Sequence, residues 1–191
     1  MKTKKVKGFT LVELIVVIAI IGVLAAILVP SMLGYVKKSK VSSANTSASS
    51  IYKAFNTALT DMDAEGFDMG GIYAVTASHG DTKFTLPASG GPVGKTGAAT
   101  DQTLFDKVSN YFEDIKKCTV DARMNGGTCK AVAVATDSTY VGAFPPVITV
   151  DNYSKYDVTD AADDAYDQAM GTTPLTHGYT KSSTDKTNNG Y

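Results

Sequence analysis

The chain has 191 residues, 43% of them hydrophobic, and a formal net charge of −1. That length and apolar content allow one domain of ordinary size with something added, and exclude a disordered polymer. The near-neutral total hides an asymmetry: Lys2, Lys4, Lys5 and Lys7 lead the sequence, whereas the residues after Lys40 carry 11 basic and 18 acidic side chains. An acidic exterior with a single arginine, Arg123, argues against nucleic-acid binding through phosphate. Two cysteines, two histidines and no tryptophan leave few groups for metal or nucleophile chemistry. No catalytic constellation is found, and the chain reads as a non-enzyme that needs no cofactor.

The first element is the most informative. Phe9 to Val36 runs for 28 residues with one charged side chain, Glu13. As a helix it would reach roughly 42 Å, against a hydrocarbon thickness of about 30 Å, so it can span a bilayer. A cleavable secretory signal has the same lysine-rich start, but its apolar region is usually about 7 to 15 residues. Glu13 is the anomaly, because a carboxylate within a bilayer costs several kcal/mol unless it is paired, protonated or near the interface. A cut after Gly8 would place a new amine on Phe9, one helical turn from Glu13, able to meet that carboxylate or a neighbouring subunit's. The alternative is that Glu13 lies in the headgroup layer and suits the positive end of the helix dipole.

Gly8-Phe9-Thr10-Leu11-Val12-Glu13 followed by an apolar run resembles the class III signal of type IV pilins and their relatives. The resemblance covers residues 1 to about 36, and the continuing helix in general form. It implies an α+β pilin fold, a long N-terminal helix with a hydrophobic half and a half packed on an antiparallel sheet. It further implies cleavage between Gly8 and Phe9 by a prepilin peptidase, N-methylation of Phe9, and assembly through Phe9 and Glu13, the acid neutralising a neighbour's N-terminus. Gly22 and Pro30 match helix-weakening positions of pilins. Independently, Pro30 lacks an N–H and clashes with the preceding turn, so a bend is expected there. The expected organisation is a leader at 1–8, an apolar half-helix at 9–36, an amphipathic half at 37–64 and a head with an exposed tail at 65–191. Implied partners are copies of the same chain in a helical filament, the peptidase, assembly ATPases, a platform protein and, before assembly, the cytoplasmic membrane.

From Val41 the helix changes register. Val41, Ala44, Ala48, Ile51, Phe55, Ala58 and Met62 form one apolar stripe on a Ser, Thr, Asn and Lys surface, suited to packing on a sheet. Gly66 is the expected stop. Strands are expected at Ile72 to Thr76, Lys83 to Leu86, Thr119 to Ala122, Cys129 to Thr136 and Val147 to Val150. A helix is expected from Leu104 to Lys117, capped by Asp101 or Thr103. The remaining length supports a single core.

Cys118 and Cys129 bracket the turn signal Asn125-Gly126-Gly127, and in an exported head they are expected to form a disulfide worth about 2 to 3 kcal/mol. Of the acidic series after Asp151, the residues Asp157, Asp160, Asp163 and Asp164 are candidates for donating oxygens to calcium, though no EF-hand spacing is present and Thr159 to Met170 reads as a capped, solvated helix. Gly90 to Thr96 resembles a phosphate-binding loop, but Ser89 stands where that pattern needs glycine, so a surface loop is expected. His79 and His177 read as loop residues. Asn45 and Asn152 fit a glycan acceptor pattern. The overall reading is a pilus subunit. The alternatives are a type II secretion pseudopilin and, from another class, a membrane-anchored adhesin that never polymerises.

Overall fold

The computed structural model describes residues 8–86, 101–137 and 139–171. The expected loop at Gly90 to Thr96 and the C-terminal stretch with His177 lie outside them. The chain divides into two units, residues 1–39 and 40–191.

The first helix, α1, runs from Leu11 to Ala64 with Pro30 inside it. Within the second unit its expected stripe is buried throughout, joined by Ala54 and Leu59. Gly66 ends the helix with a φ of 83°, a left-handed conformation that suits glycine. The strands are β1 (Ile72–Ala77), β2 (Thr119–Asn125), β3 (Thr128–Ala135) and β4 (Val141–Phe144), and the helices α2 (Asp101–Tyr111) and α3 (Val158–Met170). The sheet is antiparallel in the order β1-β2-β3-β4. The fold is therefore α+β, a long N-terminal helix packed on an antiparallel sheet.

Alternation sorts the strands onto two cores. Tyr73 and Val75 of β1, Val120, Ala122 and Met124 of β2, and Val132 and Val134 of β3 join α1 and α2 in one cluster. Ala131, Ala133 and Ala135 of β3 and Ala143 of β4 join Val158, Ala161, Ala162, Ala165 and Tyr166 of α3 in the other. The helix expected to be solvated is thus amphipathic, its alanine face lying on the sheet. Asp157 caps α3 by accepting from the Asp160 N–H at 2.7 Å, and Gly171 closes it with a φ of 66°.

Two expected strands are corrected. Val147 to Val150 is not a strand: Pro145 and Pro146 precede it, and asparagine side chains take its backbone groups. Asn152 accepts from the Thr149 N–H at 2.7 Å and donates to the Val147 carbonyl at 3.0 Å, while Asn45 donates to the Ile148 carbonyl at 3.0 Å. Lys83 to Leu86 contributes a single antiparallel bridge, Thr85 to Thr76. Phe84 is nevertheless held between Phe55 and Phe105, at ring-centroid distances of 5.1 and 5.0 Å. The expected helix at Leu104 to Lys117 starts at Asp101 and tightens into a 3₁₀ turn at Glu113–Lys117.

The unforeseen strand is β4, whose Gly142 conceals it in the sequence. The glycine is required by close approach: a Cβ there would stand 2.1 Å from the Ala44 carbonyl carbon and 2.4 Å from the Asn45 nitrogen. At the same place Asn45 accepts from the Ala143 N–H at 2.9 Å, and eleven residues on, Asn56 accepts from the Cys129 N–H at 3.0 Å and donates to the Cys129 carbonyl at 3.3 Å. Eleven residues are about three helical turns, so both amides lie on one face of α1 and meet the outer edge of β3 and β4.

Candidate assembly site

The site is built at the start of α1. Residues 8–10 precede the helix, which makes Thr10 its N-cap and Glu13 the third helical residue. Glu13 Oε2 accepts from the Thr10 N–H and the Thr10 hydroxyl, both at 2.8 Å, and the Thr10 hydroxyl oxygen accepts from the Glu13 N–H at 3.3 Å. This reciprocal pattern is a capping box, which satisfies helix N–H groups that have no partner within the helix. The signal, threonine followed three residues later by glutamate, is present in the sequence at Thr10 and Glu13 and adds a local role for the carboxylate to the two weighed for it above. The carboxylate also sits where the helix dipole favours negative charge.

Beyond the cap the surface is apolar as far as Val36 except at Ser31, whose hydroxyl donates to the Leu28 carbonyl at 2.9 Å. Phe9 is 85% exposed, and every large hydrophobic side chain from Leu11 to Val36 is exposed in the single chain. Among the described residues α1 is the one helix long and apolar enough to cross a membrane, with a mean hydropathy of 3.1 over its most apolar window. A contiguous apolar surface of this extent does not stay in water and needs lipid or protein against it. Gly22 has open space around it, so no packing within the chain requires glycine there, although glycine in a helix interior costs about 1 kcal/mol relative to alanine. Pro30 removes one backbone donor without ending the helix.

The remaining candidates are not gathered with these. Cys118 and Cys129 are both free and buried, which overturns the expected disulfide. The ladder pairs Cys129 with Met124 and places Thr119 opposite Ala135, so Cys118 lies at the far end of the hairpin, about 20 Å from Cys129, where a bridge needs Cα atoms within about 7 Å. The sequence held the clue, since Cys129 follows the Gly126-Gly127 turn closely and Cys118 precedes it by most of a strand. Burial pushes the Cys118 thiol up to about 11 and raises that of Cys129 as well, keeping both protonated and unreactive.

The calcium candidates are engaged elsewhere. Asp157 caps α3, Asp163 accepts from Arg123 Nε at 2.8 Å, and Asp164 accepts from the Tyr156 hydroxyl at 2.6 Å. Asp160 lies in the first turn of α3, and among the described residues no three His, Cys, Asp or Glu side chains gather to hold a metal. Asn45 and Asn152 use their side-chain amides on the backbone, so neither is a free glycan acceptor. His79 sits in the exposed turn after β1, where its N–H donates to Thr119 Oγ1 at 3.3 Å.

Residues 3–29 match the family description "Prokaryotic N-terminal methylation motif". The chain is 32% identical over 133 residues to a fimbrial protein of Dichelobacter nodosus, covering 63% of this chain and 82% of that one. It is 30% identical over 133 residues to a type IV major fimbrial protein FimA of the same organism, again covering 82% of the relative. Against the type IV major pilin protein PilA of Myxococcus xanthus (strain DK1622) the identity is 42% over 57 residues, 30% of this chain and 26% of the relative. For several relatives, therefore, the match spans only about a quarter to a third of their length. No solved structure matches the chain.

Proposed function

The chain belongs to the type IV pilin family, and from that premise we propose that it is a prepilin whose mature form is a structural subunit of a type IV pilus. One observation carries the reading: Gly8-Phe9-Thr10 opens directly onto a helix with a carboxylate in its first turn and bare apolar surface beyond. A peptidase cut between Gly8 and Phe9 removes the four leader lysines and creates an ammonium at Phe9, which is then N-methylated. The apolar half-helix rests in the cytoplasmic membrane first and later packs with copies of itself in an extracellular filament, so the same surface is covered in both states.

The capping box supports a defined part for Glu13. An ionised carboxylate accepts about four hydrogen bonds, and Thr10 supplies two. Capacity remains for the ammonium of a neighbouring Phe9, with Thr10 holding the carboxylate at the helix start. Hydrophobic packing supplies most of the cohesion between subunits. The ion pair penalises misalignment, since a salt bridge removed from water returns little net energy. Assembly ATPases and a platform protein extract and stack the subunits. Gly22 and Pro30 loosen the helix where neighbouring rods pack.

The test has two readouts. Mass spectrometry of the native polypeptide should find it starting at N-methylated Phe9, and Glu13→Ala should leave it in the membrane but poorly assembled. Thr10→Ala, which removes a cap worth about 1 kcal/mol, should reduce fibre yield less than Glu13→Ala does. Abundant normal fibres from Glu13→Ala refute the register role. A mature chain that begins elsewhere, or that never polymerises, refutes the pilus reading in favour of an anchored adhesin. Electron microscopy of sheared surface material separates long fibres from the short piston of a pseudopilin.

A further inference from the structure

Among the described residues, a single guanidinium lies between a carboxylate of β2 and one of α3. Arg123 donates through Nε to Asp163 at 2.8 Å and through a terminal nitrogen to Asp121, so one guanidinium serves two carboxylates. Asp121 and Arg123 are each only 3% exposed, and they are the buried charged residues of the described head. The groups facing Asp121 are, on β2, Arg123 and Thr119; on β1, its cross-strand partner Thr76; and on α3, Thr159, Asp163 and the cap Asp157. Its partner on β3 is Ala133, which carries no charge. Asp160 and Asp167 stand three and four residues from Asp163 and share its side of α3. Arg123 is thus the cation acting on Asp121 among the described residues.

Beside this network lies an open cavity of about 190 Å³, lined by Asp121 together with Thr76, Ser78, Thr119, Asp157 and Thr159. At about 30 Å³ per water molecule it holds roughly six, enough for proton exchange with a carboxyl otherwise sealed in the head.

We propose that Asp121 is a proton-operated catch between the sheet and α3: ionised, it overloads Arg123 and loosens the interface; protonated through the cavity, it leaves a balanced Arg123–Asp163 pair and seats α3 more firmly. The head therefore becomes more stable on mild acidification, the reverse of ordinary acid unfolding. Burial holds the Asp121 carboxyl up to about 6 despite Arg123, with Asp163 adding to the rise. A carboxyl raised on folding binds more protons in the native state between its unfolded and folded values, so its contribution is complete at low pH and is lost as pH rises through about 6. Asp101, whose carboxyl is lowered by the Gln102 N–H, acts in the opposite direction, but only below the ordinary carboxylate range.

The experiment melts the full chain in detergent micelles, following the near-ultraviolet circular dichroism of its ten tyrosines, there being no tryptophan. The midpoint should be about 5 °C higher near pH 5 than near pH 7.5. Asp121→Asn, which mimics the protonated form, should lose that difference between the two values, and near neutrality should melt at least as high as the wild-type chain. Comparing the two chains cancels every other titrating group, the histidines included. Asp163→Asn should move the wild-type transition to lower pH by removing the competing anion. A wild-type midpoint that is flat or falls on acidification overturns the proposal. So does an Asp121→Asn chain that keeps the wild-type dependence or fails to fold near neutrality.

Discussion

Replacing Gly142 by alanine should be among the most damaging single-methyl additions the head can receive. The added Cβ would lie 2.1 Å from the carbonyl carbon of Ala44, 2.3 Å from its oxygen and 2.4 Å from the nitrogen of Asn45, all of them α1 backbone. Ordinary carbon contacts lie at about 3.5 to 4.0 Å, so α1 must withdraw from β4 by more than about 1 Å, with no side-chain rotation to relieve it. Withdrawal breaks the two bonds from Asn45, to the Ala143 N–H at 2.9 Å and the Ile148 carbonyl at 3.0 Å. Overpacking costs about 1 to 3 kcal/mol and each lost bond about 1 kcal/mol, giving roughly 3 to 5 kcal/mol in all. That is a large share of the about 5 to 15 kcal/mol that holds a typical domain together. Urea unfolding in detergent, read by near-ultraviolet dichroism, should show the midpoint falling with an unchanged slope. Ala44→Gly should not rescue the variant, because the clash is with main chain. A Gly142→Ala chain within about 0.5 kcal/mol of wild type, or one rescued by Ala44→Gly, refutes the reasoning.

Tyr73 should tolerate loss of its hydroxyl. The phenol is buried with no hydrogen-bond partner among the described residues, and burial raises its pKa. Tyr73→Phe should therefore stabilise the head by about 1 kcal/mol in the same assay, and a clear loss of stability would mean that the hydroxyl is bonded after all. The cysteines should titrate as two free thiols per chain once the native protein is denatured without reductant, and react slowly with a thiol reagent before denaturation. Finding no free thiol in the denatured chain would restore the disulfide.

What could be read in advance follows the range of the interactions involved. The stripe from Val41 to Met62 was legible because a helix repeats its buried face every three or four residues, and the segment before it because its apolar run has few soluble explanations. The Asn125-Gly126-Gly127 turn announced its hairpin, with φ of 59° and 76° at the two glycines. Long-range choices were not legible. Thr119, Asp121 and Arg123 alternate with apolar neighbours as a half-solvated strand would, and only α3, folding back from some forty residues away, turns that polar face into an interior one. Glycine weakens a strand pattern, so β4 vanished at the position where α1 presses on it. At the candidate assembly site the capping box is legible, since Thr10 and Glu13 carry it locally. The burial of the lone arginine could not.

The two asparagines of α1 carry a consequence for how copies of this protein stick together. A sheet whose last strand shows bare N–H and C=O groups invites a stranger's strand to extend it. Here that hem is stitched down at Ala143 and at Cys129 by amides from the same polypeptide. Growth by borrowing strands is thereby closed along this border, and in the filament proposed above the task of recruiting sister molecules would fall to the greasy end of the rod.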